Sequence, residues 1–259
     1  MLKGKTALVT GSTSGIGLGI AEELAKNGCN IIINGFGPED VINKIILDLE
    51  KFGVKASYSA ANMLNKAEIA GMIDEAVFKY GRLDILVNNA GIQHVDSIEN
   101  FPDEKWDMVI AINLSSSFHS IKHALPHMKK NNWGRIINIA SAHGKVGSAN
   151  KSAYVAAKHG IVGLTKVIGL ETAEIDITCN AICPGWVHTP LVQKQIEEKA
   201  AQKNISIKQA EIDLLSEKQP SLKFVKSSDI GEMVVYLCSD GAAQVTGTEF
   251  SIDGGWTAR

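Results

Sequence analysis

The sequence predicts an α/β protein: one domain, a doubly wound parallel sheet, and a helical lid over the C-terminal ends of the strands. Three observations point to it. Short runs of β-branched apolar residues alternate with longer amphipathic stretches, the rhythm of successive strand–helix units. A glycine loop joins the first such strand to the first helix. Late in the chain, residues 190–219 carry two polar amphipathic stretches without a strand, and an insertion there falls over the ligand crevice of such a sheet.

The bulk properties agree with one large soluble domain spanning residues 1–259. Apolar residues make up 45% and charged residues 21%, an ordinary globular balance. A net charge of −2 gives no electrostatic basis for binding nucleic acid. No apolar run reaches the roughly 20 residues of a membrane span, and the start MLKGKTALVTG lacks the pattern of a secretion signal. Cys29, Cys179, Cys183 and Cys238 form no C-x-x-C pair, which favours buried thiols and a cytoplasmic setting.

Taken in order, residues 5–10 form the first strand, and the loop Gly11 to Gly17 leads into a helix ending near Asn27. Gly11 permits a tight turn, while Gly15 and Gly17 let the helix N-terminus approach a diphosphate. A second strand, Asn30 to Asn34, completes one βαβ unit. Its tip, Gly35-Phe36-Gly37-Pro38-Glu39-Asp40, has no arginine or lysine, and Glu39 and Asp40 would repel a 2′-phosphate. NAD is therefore expected over NADP. Phe36 is expected against the adenosine, with simple packing as the alternative. A helix over 39–52, a strand over 54–59, a helix over 66–80 capped by Gly81, and a strand over 84–87 follow. A helix over 103–130 contains Asn113, a residue unfavourable in mid-helix. In its second half His119, His123 and His127 recur at helical spacing. No carboxylate or cysteine joins them nearby, so they are read as surface or subunit-contact residues and no metal is expected.

The densest chemistry lies in residues 134–166. A strand from Arg135 to Ala140 ends on Ser141, and the helix over 151–173 carries Tyr154 and Lys158 on one face. An ammonium beside a tyrosine favours its phenolate, so its pKa should fall from ~10 toward working pH. A serine hydroxyl nearby can bond the same substrate oxygen. These are parts of a proton-transfer device for an alcohol or carbonyl. A strand over 176–182, a helix over 227–238 and a last strand, Glu249 to Ile252, finish the sheet.

The motifs TGSTSGIG at 10–17, NNAG at 88–91, Asn113, Ser141, Tyr154-x3-Lys158 and PGWVHT at 184–189 occur in order. Together they resemble the short-chain dehydrogenase/reductase family over essentially the whole chain, which implies a Rossmann-type fold. The resemblance implies Tyr154 as general base or acid and Lys158 as its partner and a contact of the nicotinamide ribose. It further implies Ser141 as orienter of the substrate oxygen and Asn113 as a link in a proton relay, at a locally widened helix turn. It assigns cofactor contacts to Gly11, Thr13, Gly15, Ile16, Gly17 and Phe36, and to Asn89, Ala90 and Gly91. The loop Pro184, Gly185, Val187 and Thr189 would meet the nicotinamide. Asn62 and Met63 stand near the adenine, where the family usually has an acidic residue.

Residues placed to line the substrate pocket are polar: Gln93 and His94 after NNAG, His143, Lys151, Trp186 and, in the lid, Gln195. Two basic residues with two glutamines suit a small carboxylate; a solvated helix-start lysine is the plainer reading of Lys151. The segments NNAGIQH, ASAHG, NKSAYVAAKHG and DGGWTAR resemble a branch of the family acting on small hydroxy acids. That resemblance implies Gln93, His143, Lys151 and Gln195 as carboxylate ligands. Trp186, with Trp256 supplied by another subunit, would shape the opposite side. It also implies a homotetramer. The expected activity is NAD-dependent exchange between a hydroxy acid and its keto acid. The alternatives are another polar hydroxy compound or a ketoacyl substrate, and a non-catalytic dinucleotide-binding protein.

Overall fold

The computed structural model describes residues 2–258. Seven strands form one parallel sheet in the order β3-β2-β1-β4-β5-β6-β7. They are β1 (Thr6–Val9), β2 (Asn30–Asn34), β3 (Ala56–Ser59), β4 (Ile85–Asn88), β5 (Gly134–Ile139), β6 (Ile177–Pro184) and β7 (Glu249–Ile252). The order reverses between β1 and β4, which opens a crevice at their C-terminal ends.

Side-chain alternation divides the core. Ala7, Val9, Ile31, Ile33, Val87 and Ile137 face α1 (Gly15–Lys26), α2 (Glu39–Glu50) and α9 (Ser227–Leu237). Leu8, Ile32, Leu86 and Ile136 face the opposite way, toward α3 (Lys66–Tyr80) and α5 (Ser116–Lys130). Both faces are covered, so the central strands β1, β2 and β4 are largely apolar, as buried parallel strands usually are. Helix ends follow their caps. Asn65 accepts hydrogen bonds from the N–H groups of Ala67 and Glu68 at the start of α3, and Gly81 ends it at φ 75°.

The helix expected over 103–130 is interrupted. It runs as α4 (Asp103–Ile110), a π turn (Ala111–Ser115) and α5. The widened turn carries Asn113, as the family resemblance implied. Pro126 lies inside α5, which continues to Lys130. After α6 (Ser152–Glu171) and β6 come α7 (Pro190–Lys203) and α8 (Ile207–Ser216), the two helices expected over 190–219. They have a small core of their own, with Val192, Ile196 and Ala200 meeting Ala210 and Leu214. A single parallel bridge, Val187 to Val225, ties the two ends of this insertion.

Candidate active site

The first cavity lies where the sheet order reverses. Its volume is about 310 Å³, and its walls include Gly11, Ser14, Gly15, Ile16, Asn89 to Gln93, Tyr154, Lys158 and Thr189. The glycine loop is held there by β4. The Asn89 side-chain amide donates to the carbonyls of Thr10 and Gly11, both at 2.9 Å. Thr10 Oγ1 accepts from the N–H groups of Asn89 and Ala90. Gly17 is required by this closeness, since a Cβ there would lie 2.5 Å from Asn89 Nδ2 and strike the Gly11 carbonyl. The first turn of α1 has no acidic residue and no side-chain cap. Its unpaired N–H groups and positive dipole end suit a diphosphate, so the residues fit a dinucleotide.

Other expected cofactor residues stand apart from this cavity. Phe36 is 70% exposed at the tip of β2. Met63 is buried in the core with Leu8, Ile32 and Ile69, so its apolar side chain is withdrawn from any ligand. The Asn62 side-chain oxygen accepts from the Leu64 N–H at 3.0 Å, occupying that acceptor in a local turn. Gly185 and Val187 line the neighbouring cavity, and Thr189 borders both.

Asn113 is buried, and both ends of its side-chain amide bond the backbone. Oδ1 accepts from the Ile92 N–H at 2.8 Å, and Nδ2 donates to the Ile92 carbonyl at 2.9 Å. It therefore clamps the chain just after NNAG, a purely backbone partnership made from within the π turn.

The second cavity is smaller, about 170 Å³, and shares Ile16, Gln93, Tyr154 and Thr189 with the first. Its walls bring together all six residues named as substrate contacts: Gln93, His143, Lys151, Trp186, Gln195 and Trp256, with Ser141 and Tyr154 beside them. Trp256 corrects one expectation. It comes from the same chain, because the tail folds into a short turn, Trp256–Ala258, against its own pocket. There it stacks on Trp186 at 6.1 Å and meets His143 edge-on at 5.0 Å. The His143 Nε2 and Trp186 Nε1 atoms are buried without a hydrogen-bond partner in the protein, so both have capacity for a polar ligand. His94 instead turns to Phe101, ring centroids 5.2 Å apart, and is absent from the cavity wall.

The titrations differ from the simple expectation for Tyr154. Burial raises its pKa, and the Ser141 hydroxyl opposes the rise. Lys158 Nζ donates to the Ile139 carbonyl at 2.7 Å and lies 5.6 Å from the Tyr154 ring centre. Burial pulls this lysine down to about 8, with Cys183 opposing. The ammonium is thus tied to the end of β5, and burial is the largest influence on the phenol. In the second cavity burial, then the charges of Lys151, Lys218 and His159, lower His143 to about 3. Burial and Lys218 lower Lys151 to about 8. An anion in this pocket would relieve the crowding of positive charge.

Residues 5–200 match the family model described as short chain dehydrogenase. The chain belongs to the short-chain dehydrogenase family. The match joins the Ser141, Tyr154 and Lys158 cluster to a family that binds nicotinamide dinucleotides. The chain is 58% identical to a D-beta-hydroxybutyrate dehydrogenase of Cupriavidus necator over 259 residues, 100% of both chains. It is 53% identical to a protein of the same name from Rhizobium meliloti, covering 98% of this chain and 99% of that one. A crystal structure of an actinorhodin polyketide ketoreductase variant with NADPH superposes with a TM-score of 0.92 at 37% identity, covering 100% of each chain.

Several wall residues escaped the sequence reading. Ser14, Ile92, Ile139, Ala140 and Pro190 border the first cavity, and Val192 borders the second. Ser14 and Ile92 adjoin recognised motifs, so sequence position could have found them. Lys218, outside both walls though its charge reaches His143 and Lys151, had no such signal. It follows a lid helix among ordinary polar residues.

Proposed function

We propose that this protein interconverts D-3-hydroxybutyrate and acetoacetate with NAD as cofactor, on a single domain whose lid is α7 and α8. The observation that carries the reading is the small second cavity, where Lys151, His143, Gln93 and Gln195 converge beside Ser141 and Tyr154. Its volume suits a four-carbon acid, and its charge suits a carboxylate. The naming of two full-length relatives supports the same substrate. A ketoacyl thioester is a poorer fit to a cavity of about 170 Å³.

The chain's own residues divide the work. The carboxylate rests between Lys151 and the two glutamines, while neutral His143 donates a hydrogen bond through Nε2. Ser141 holds the 3-hydroxyl oxygen and Tyr154 accepts its proton. Asn113 keeps the chain at Ile92 in register with the cofactor cleft. The bound dinucleotide supplies the two-electron acceptor. Gly11, Thr13, Gly15, Ile16, Gly17, Asn89, Ala90, Gly91, Lys158 and Thr189 hold it, with Phe36 and the Asn62 region at the adenosine and Pro184 to Val187 at the nicotinamide. Because Tyr154 accepts the hydroxyl proton as its phenolate, and burial raises its pKa, oxidation accelerates as pH rises.

NAD is the proposed cofactor because Glu39 and Asp40 open α2 beside the β2 tip, where a 2′-phosphate would need a cation. Four free, buried cysteines agree with a reducing cytoplasmic compartment. Exposed Phe118 on α5 and Val167 and Leu170 on α6 support a homotetramer that covers them. The test is NADH formation from NAD with each enantiomer of 3-hydroxybutyrate, with NADP alongside. The D acid with NAD should be turned over, and Tyr154→Phe should abolish turnover while still binding NAD. Silence with both enantiomers in NAD-binding protein would overturn the substrate, and near-full activity of the variant would overturn the role of Tyr154.

A further inference from the structure

Lys218 is not part of the pocket wall, yet two contacts hold its charge beside that wall. Its Nζ donates to Ser148 Oγ at 2.9 Å. The same atom lies 5.3 Å from the Trp256 ring centre. Trp256 stacks on Trp186, and Lys151 Nζ lies 5.7 Å from the Trp186 ring centre. The stacked indoles thus carry an ammonium against each ring. Among the described residues, neither lysine forms an ion pair.

The backbone at Lys218 is anchored on both sides. Glu217 pairs with Lys199 of α7 at 2.7 Å. Gln219 is fully buried, accepts from the Trp186 N–H at 2.7 Å and donates to the Lys223 carbonyl. A Cβ on Gly254 would strike Gln219 Cγ at 2.8 Å, so the C-terminal turn packs directly on this side chain. Three consecutive residues therefore grip the lid, the loop bearing Lys151 and the turn bearing Trp186. A charge held this firmly acts without further ordering when a ligand arrives.

We propose that Lys218 is a specificity residue. Fixed behind Trp256, it adds a second positive charge to the substrate pocket and selects anionic over neutral ligands. The inference rests on reading that pocket as a carboxylate site. It assigns discrimination to a residue that never touches the substrate. Its field acts through the low-dielectric indole pair, where screening by water is weak.

The experiment uses the NAD-loaded enzyme and two probes of nearly equal shape, acetate and acetamide, followed by quenching of tryptophan fluorescence. Lys218→Gln removes the charge but can still donate to Ser148. It should weaken acetate about five- to thirtyfold, as expected for charges about 8 Å apart at an effective dielectric of about 20–40. Acetamide should change by less than about twofold, and added salt should shrink the acetate effect. Lys218→Arg should restore acetate binding, and Ser148→Ala, which keeps the charge, should leave the acetate preference intact. If glutamine destabilises the fold, Lys218→Met makes the same comparison. Equal weakening of both probes would make Lys218 a structural strut, and unchanged acetate binding would remove it from specificity; either result overturns the proposal. In turnover, KM for D-3-hydroxybutyrate should rise by the acetate factor with kcat within about twofold. An enzyme inactive on that acid would overturn the proposed substrate alone, because the acetate comparison needs no turnover.

Discussion

Replacing Asn113 by alanine removes two hydrogen bonds at one stroke. Its amide accepts from the Ile92 N–H at 2.8 Å and donates to the Ile92 carbonyl at 2.9 Å. The asparagine is 1% exposed, so little water reaches its end of the pair. A buried backbone group left unpaired costs about 1–3 kcal/mol. Ile92 is only half-buried, which allows partial compensation by water, so the sum should be about 2–4 kcal/mol. The loss should appear as a lower urea midpoint at matched protein concentration, with an unchanged slope. Ile92 also lines the first cavity between Gly91 and Gln93, so, with NAD bound there as proposed, its dissociation constant should rise in parallel. Asn113→Asp keeps the acceptor for the Ile92 N–H but opposes the carbonyl, and should fall between wild type and alanine. A proton relay alone predicts lost turnover with stability and NAD affinity untouched. An alanine variant within about 0.5 kcal/mol of wild type, binding NAD normally, would refute the clamp.

Gly17→Ala should lose at least about 1–3 kcal/mol in urea unfolding and bind NAD poorly, because its Cβ meets Asn89 Nδ2 and the Gly11 backbone. A variant with both properties intact would show that the loop yields. His143 has a folded pKa of about 3 against an ordinary 6.5, so its neutral burial favours folding above pH 6.5 and that contribution fades as pH falls toward 3. Between pH 7 and 5 wild type should lose about 2 kcal/mol more stability than His143→Gln, by urea midpoints at each pH. Parallel curves for the two proteins would contradict a neutral His143.

Much of the architecture was legible because each element carried its own local signal. α3 was found at its observed bounds, since Asn65 and Gly81 mark its two ends and apolar residues repeat between them. β2 and β7 were likewise placed at their observed bounds. The residues that converge on the second cavity flank recognisable motifs, so sequence position could gather them. What remained hidden depended on contacts between distant segments. Met63 lies beside Asn62, yet its burial with Leu8 and Ile32 follows from packing across two strands. The attachment of Trp256 to its own chain required the path of the tail, set in part by Asp253. That carboxylate accepts from the N–H groups of Gly255 and Thr257. Spacing reveals an ammonium near Tyr154 but not the burial that raises the tyrosine's pKa, nor that Lys158 is bound to Ile139.

The two cavities have Ile16, Gln93, Tyr154 and Thr189 in common. Each ligand, once bound, becomes part of the surface that the other meets. Their affinities are therefore bound by a thermodynamic cycle: the factor by which cofactor tightens substrate equals the factor by which substrate tightens cofactor. A change at Gln93 or Thr189 acts on that shared factor, so a defect measured with one ligand alone understates the damage to the ternary complex.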